Sequence, residues 1–307
     1  MDKLSVADII ECSSYRKLCP LMWETGNPFP KETLCYVPAE HIKPFFELIK
    51  SEPPNKYTIV SASSDIGLAY QQEQPVWADM QRWLGMLDYR GLGYDDFHQH
   101  ARCYRERCDI NDRYSLKCWS WTFATFPEIP GSVKKWFMVN SLVEHPKIET
   151  IPFGIAENTA ATLLNFPKQE RDSWLYINHQ NYTVPRVQLK KFYMAARHTW
   201  VTCRPESNLP FEEYLKELDS HIFCLCPNGN GIDCYRTAEC LYRGVIPIVE
   251  DNLVTRSFQD LPMVRVANLF NITFDFLKEQ LEYIRSQRWD LTRTTLSYWR
   301  NRIASFA

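Results

Sequence analysis

The stretch from His221 to Glu250, HIFCLCPNGNGIDCYRTAECLYRGVIPIVE, restricts the fold more than any other part of the chain. HIFCLCP is an apolar run of strand length and NGNG is a turn. IDCYRTAECLYR repeats its apolar positions with helical spacing, and VIPIV is a second apolar run. Gly244 falls where such a helix would stop. The unit reads as strand, loop, helix, strand, the repeating piece of a parallel α/β sheet.

The same alternation extends to both sides. Strand-like runs are YTIVSAS (57–63), WFMVNS (136–141), KIETIPFGI (147–155), WLYINHQ (174–180) and MVRVAN. Helical patterns fill VQLKKFYMAARHTW, FDFLKEQLEYIRSQ and TTLSYWRNRIASF. With 307 residues there is chain for two domains. The expected parse is two α/β domains facing one another. Residues 1–155 form the first, 170–285 the second, and 286–307 a final helix. AENTAATLLNFPKQERDS is polar and turn-rich, which marks a linker, with the hinge between Pro152 and Trp174. Residues 74–130 break the pattern and are rich in Trp, Tyr, His and Arg, an elaboration on the first domain.

The formal net charge of −2 supplies no global attraction to nucleic acid or anionic membrane. No apolar run reaches the roughly 18 residues of a membrane span. The opening MDKLSVADIIECSSYRKL lacks the pattern of a secretion signal, so the eleven cysteines are expected to be reduced thiols in a cytoplasmic protein. Cys224, Cys226 and Cys240 sit in apolar runs and read as small core residues.

The glycine turn carries the chemistry. Gly229 and Gly231, beside Asn228 and Asn230, let backbone approach a ligand and expose N–H groups at a helix N-terminus, where the dipole favours an anion. Arg236, expected in the second helical turn, can reach the same anion with paired hydrogen bonds. Glu239 lies one turn on and suits a vicinal diol such as ribose. The group reads as a nucleoside diphosphate site, against the plainer reading of a tight turn with a surface Arg–Glu pair. Neither the Rossmann fingerprint nor a P-loop is present.

CPNGNGIDCYRTAECLYRGVIPIV resembles the donor-sugar motif of exostosin-like glycosyltransferases. WFMVNSLVEHPKIETIPFGIAEN, SFQDLPMVRV and WDLTRTTLSYWRNRI are similar to other segments of that family. The resemblance implies a GT-B fold, two Rossmann-like domains about an interdomain cleft. It implies a donor held by the second domain, an acceptor by the first, and an inverting transfer without a catalytic metal. It also implies a final helix that crosses back to the first domain. Asn228 stands where many relatives have Arg, and Tyr235 where some have His. Without an anchor, the chain is more similar to soluble viral or microbial members.

Sugar transfer needs a stabilised leaving group and a base for the acceptor hydroxyl. Arg186, in NHQNYTVPR, is a second phosphate candidate or else a solvated loop arginine; Asn178 and Tyr182 are weaker ones. Asp65, after the first strong strand, is the first choice of base, and His145 the second, with Asn140 and Glu144 beside it. His98, His100, Cys103 and Cys108 offer zinc-compatible ligands in no standard spacing, and the plain alternative is a helix with scattered His and Cys. The expected partners are a nucleotide-sugar donor, a uridine diphosphate sugar by resemblance, and a glycan acceptor. A hydroxymethylated DNA base is the alternative acceptor, and a non-catalytic sugar- or nucleotide-binding module the alternative class.

Overall fold

The computed structural model describes residues 4–62, 67–69, 123–125, 127–181, 184–229 and 231–307. Its first sheet is built from β1 (Leu21–Met22), β2 (Leu34–Tyr36), β3 (Tyr57–Ser61), β6 (Val133–Met138) and β7 (Ile148–Thr150), in the order β1-β2-β3-β6-β7. β4 (Gly67–Ala69) and β5 (Phe123–Thr125) pair with each other, a two-stranded sheet among the described residues. Every pairing is parallel. β3 is buried along its whole length, as a central strand covered on both faces must be. Helix α1 (Ile42–Ile49) buries Ile42, Phe45, Phe46 and Ile49 against one face, the i, i+3, i+4, i+7 stripe of an amphipathic helix. Phe46 meets Trp136 of β6 edge-on at 5.2 Å.

The second sheet contains β8 (Ser173–Ile177), β9 (Val201–Cys203), β10 (His221–Leu225), β11 (Ile246–Glu250) and β12 (Val264–Val266), again all parallel. Its order is β12-β11-β10-β8-β9. The chain steps from β8 outward to β9, then returns past β8 to place β10 on the other side. The first sheet runs in sequence order with no such reversal. The helices between and after these strands are α2 (Ala160–Asn165), α3 (Val184–Ala196), α4 (Phe211–Asp219), α5 (Tyr235–Arg243), α6 (Leu253–Arg256), α7 (Phe274–Ser286) and α8 (Leu296–Ala304).

Three apolar clusters hold these layers. One lies between α1 and the first sheet, and another between the second sheet and α3 and α7. The third joins the two halves, taking Val60 and Phe137 from the first sheet, Tyr176 and Val249 from the second, and Trp299 and Ile303 from α8. After α8 the chain lies against the first sheet. Thr58 Oγ1 donates to Phe306 O at 2.6 Å, and Arg302 donates through Nε and Nη2 to the two Glu149 oxygens at 3.0 and 2.9 Å.

Several elements differ from the sequence expectation. β1, β2, β4, β5 and β9 and the helices α1, α4 and α6 are additional, the five strands having two or three residues each and so being too short to show a period. The expected linker folds in part as α2, whose Leu163 is fully buried; the carbonyls of Leu163 and of Phe166, just after the helix, accept from Arg243. Helix α5 begins at Tyr235, later than Ile232, because Asp233 turns its carboxylate back onto Cys234 N–H. No helix among the described residues is long and apolar enough to cross a membrane.

Candidate functional site

In an open parallel sheet, ligands bind beyond the carboxyl ends of the strands where the strand order reverses. Here that point lies between β8 and β10. A cavity of about 490 Å³ opens there. Asn178 and Gln180 reach it from the end of β8, Gly229 and Gly231 from the end of β10, and Asp233, Arg236 and Glu239 from α5 and its entrance. Leu209, Phe211 and Tyr214 form a largely aromatic wall, and Phe153 with Tyr235 close another side, their rings stacked at 5.0 Å and 9°.

Arg186 belongs to the first turns of α3 and is 7% exposed, so it is not the solvated loop arginine that the sequence left open. Its Nε donates to Asn228 O at 2.9 Å and its Nη2 to Pro227 O at 2.8 Å. The guanidinium therefore props the glycine turn from behind. Within the turn, Gly229 N–H donates to Gly231 O at 2.8 Å, so this amide serves the turn itself. Asn228 enters as the carbonyl that Arg186 holds.

Arg236 lies in the first turn of α5, not the second. Its guanidinium sits 5.4 Å from the centre of the Tyr214 ring, and its Nε has no hydrogen-bond partner. Glu239, one turn on, accepts from Tyr214 Oη at 2.7 Å. Burial raises the Glu239 carboxyl above its ordinary value, and Arg236 and the Tyr214 bond pull against that rise.

Asn178 donates through Nδ2 to Tyr176 Oη at 2.7 Å, which in turn donates to Glu217, leaving the buried Asn178 Oδ1 without a partner. His179 is fully buried with neither ring nitrogen bonded. Burial, together with the charges of Arg186, Arg236 and Lys190, holds its imidazole well below its ordinary value, so it is neutral. Burial also lowers the Lys190 ammonium, to about 8.

Sequence reasoning missed Asp233. Its Oδ2 accepts from Phe153 N and its Oδ1 from Cys234 N, both at 2.9 Å, and its own N–H donates to Asn140 Oδ1 at 2.8 Å. Burial pushes its carboxyl up to about 6 against those two amides. The signal was an Asp in the turn before the helix, a residue type whose side chain bonds nearby backbone N–H groups. Asn140, expected beside His145 near substrate, is instead buried with φ +56° and ties the first half to this turn.

His145 does not reach the cavity. Its Nδ1 accepts from Lys147 N at 3.1 Å, and the same segment meets the chain just before β6, where Lys147 Nζ donates to Pro130 O at 3.3 Å and Gly131 O at 3.2 Å. That is the amino end of the strand, opposite to the ends that line the site. Burial, Lys147 and Lys135 lower its imidazole. Asp65, Tyr182, Asn230 and the His98, His100, Cys103, Cys108 cluster lie outside the described residues.

Fold and site together define an α/β protein with a polar, arginine-bearing cavity at the switch point of its second sheet. Within it, residues 179–284 match the family model described as the RXYLT1 C-terminal domain. No curated protein matches the chain. The matched stretch carries every cavity-lining side chain except Phe153 and Asn178, and it supports a glycosyltransferase assignment.

Proposed function

We propose that the chain is an exostosin-like glycosyltransferase of GT-B type that takes a sugar from a nucleotide donor, a uridine diphosphate sugar, and transfers it with inversion to a glycan hydroxyl. Two domains would share the work. The second would hold the donor in the switch-point cavity, and the first would present the acceptor, with Asp65 as base four residues beyond the end of β3.

The observation that carries this reading is Arg236. A guanidinium faces the cavity from the first turn of a nine-residue helix with its Nε unpartnered, where the helix dipole also favours negative charge. Stabilising a departing diphosphate asks for a fixed cation of this kind. Arg186 holds the neighbouring turn in shape and adds charge behind it. Glu239 would bind the ribose diol, fixed by Tyr214, and Leu209 and Phe211 would receive the base.

Titration calorimetry with UDP, UDP-sugars and GDP tests the reading. Wild type is expected to bind one diphosphate, and Arg236→Ala to lose at least tenfold in affinity and in transfer rate while keeping its far-UV spectrum. Equal affinity in the two proteins would sink the donor-site assignment.

A further inference from the structure

Beneath the cavity the structure brings together three thiols that the proposed transfer does not use. Cys224 and Cys226 stand two apart at the end of β10 and so project to one face, and Cys240 faces them from α5. All three are buried, at 0%, 2% and 0% exposure. Their Sγ atoms all lie within 4.8 Å of one another, and Cys226 and Cys240 are 3.8 Å apart.

We infer that Cys224, Cys226 and Cys240 form a binding site for a thiophilic closed-shell cation, monovalent copper or divalent zinc. With metal–sulfur bonds of about 2.3 Å, three sulfurs around one ion stand roughly 4 Å apart, and here one pair is at 3.8 Å with all three within 4.8 Å. Thiolates select soft cations over magnesium or calcium. Three of them about a divalent ion leave one negative charge, and Arg236, one turn before Cys240, interacts electrostatically with all three sulfurs. Three sulfurs complete the shell of monovalent copper, whereas zinc takes a fourth ligand. Binding displaces the thiol protons to solvent and needs no oxidant. The ion would clamp α5, which carries Arg236 and Glu239, onto the strand end that carries the glycine turn.

The test is metal content of the full chain, purified under reducing conditions, dialysed against zinc or chelator-buffered monovalent copper, and measured by mass spectrometry. Wild type is expected to retain about one equivalent of one of the two ions, and the ion retained identifies the cation. Cys226→Ser and Cys240→Ala are expected to retain less than a tenth of it, with circular dichroism reporting whether each is folded. Cobalt substitution should give a thiolate charge-transfer band in wild type that both variants lose. If a variant does not fold, protection of three thiols from an aromatic disulfide reagent in metal-loaded wild type, reversed by chelator, supplies the same decision. Retention unchanged in folded variants, no bound metal in wild type, or a Cys226–Cys240 disulfide as the only thiol chemistry would each overturn the inference.

Discussion

Gly229 and Arg186 are fitted to each other: a Cβ on Gly229 would lie 2.9 Å from Arg186 Nη2 and 3.3 Å from its Cζ. The bare backbone is what lets the guanidinium lie under the turn and bond both Pro227 and Asn228 carbonyls. Gly229→Ala must therefore displace a buried cation from charge-assisted hydrogen bonds of about 1.5–3 kcal/mol each. The expected result is a fall in stability of about 1–3 kcal/mol, read by urea unfolding, with weaker nucleotide binding. Unchanged values for both would show that Arg186 shifts freely.

Arg186→Lys separates charge from geometry. A lysine keeps the positive charge but cannot reach two carbonyls with one planar group. Stability is expected to fall by about 1–2 kcal/mol. Nucleotide affinity should fall with it, because the turn loses its support. Full retention of affinity would mean that charge alone matters.

Asp233 makes stability depend on pH. Its folded value of about 6 lies above the 3.8 of an unperturbed Asp, so the folded state favours the protonated carboxyl. This contribution is fully present below about pH 4 and is lost as pH rises through 6, an effect of about 2–3 kcal/mol. Tyr15 interacts with the carboxylate from the first half, and Phe153 N and Cys234 N hold it. Asp233→Asn is expected to flatten the slope of stability between pH 4 and 6, at the cost of one of the two amide bonds. A slope identical to wild type would assign the titration elsewhere.

Arg243 and Asp219 are a buried ion pair, 1% exposed each, with Arg243 Nε 2.9 Å from Asp219 Oδ1. Arg243 also donates to Leu163 O and Phe166 O at the end of α2. Arg243→Met leaves a buried carboxylate and two carbonyls unpaired and is expected to cost about 3–5 kcal/mol. Adding Asp219→Asn should recover part of that loss, because it removes the charge but not the carbonyls. No recovery in a thermal melt would place the main cost at α2.

The α/β alternation, the strand–turn–helix unit and the stop at Gly244, with φ +75°, were legible because each rests on local periodicity or backbone freedom. Arg236 and Glu239 were legible for the same reason, being one turn apart on a helix whose existence the spacing predicts. The late start of that helix was not. It depends on an Asp233 carboxylate that bonds Cys234 N next to it and is held in place by Phe153 N, eighty positions away, and no local pattern encodes that second contact. The location of His145 escaped in the same way, because its distance from the site follows from which end of β6 the return segment meets.

The sequence by itself therefore determined the types of the longer strands and helices and the residue set of the turn and helix, since both follow from contacts within a few positions. Only the tertiary structure decided the strand order β12-β11-β10-β8-β9, and with it the place where a cavity can open. It also decided that Arg186 faces inward to hold the turn, and that a cysteine of α5 meets the two at the end of β10. Those outcomes depend on which crossover leaves a strand in which direction. That choice is made by burying apolar faces of both halves in one shared core, not by any residue's own preference.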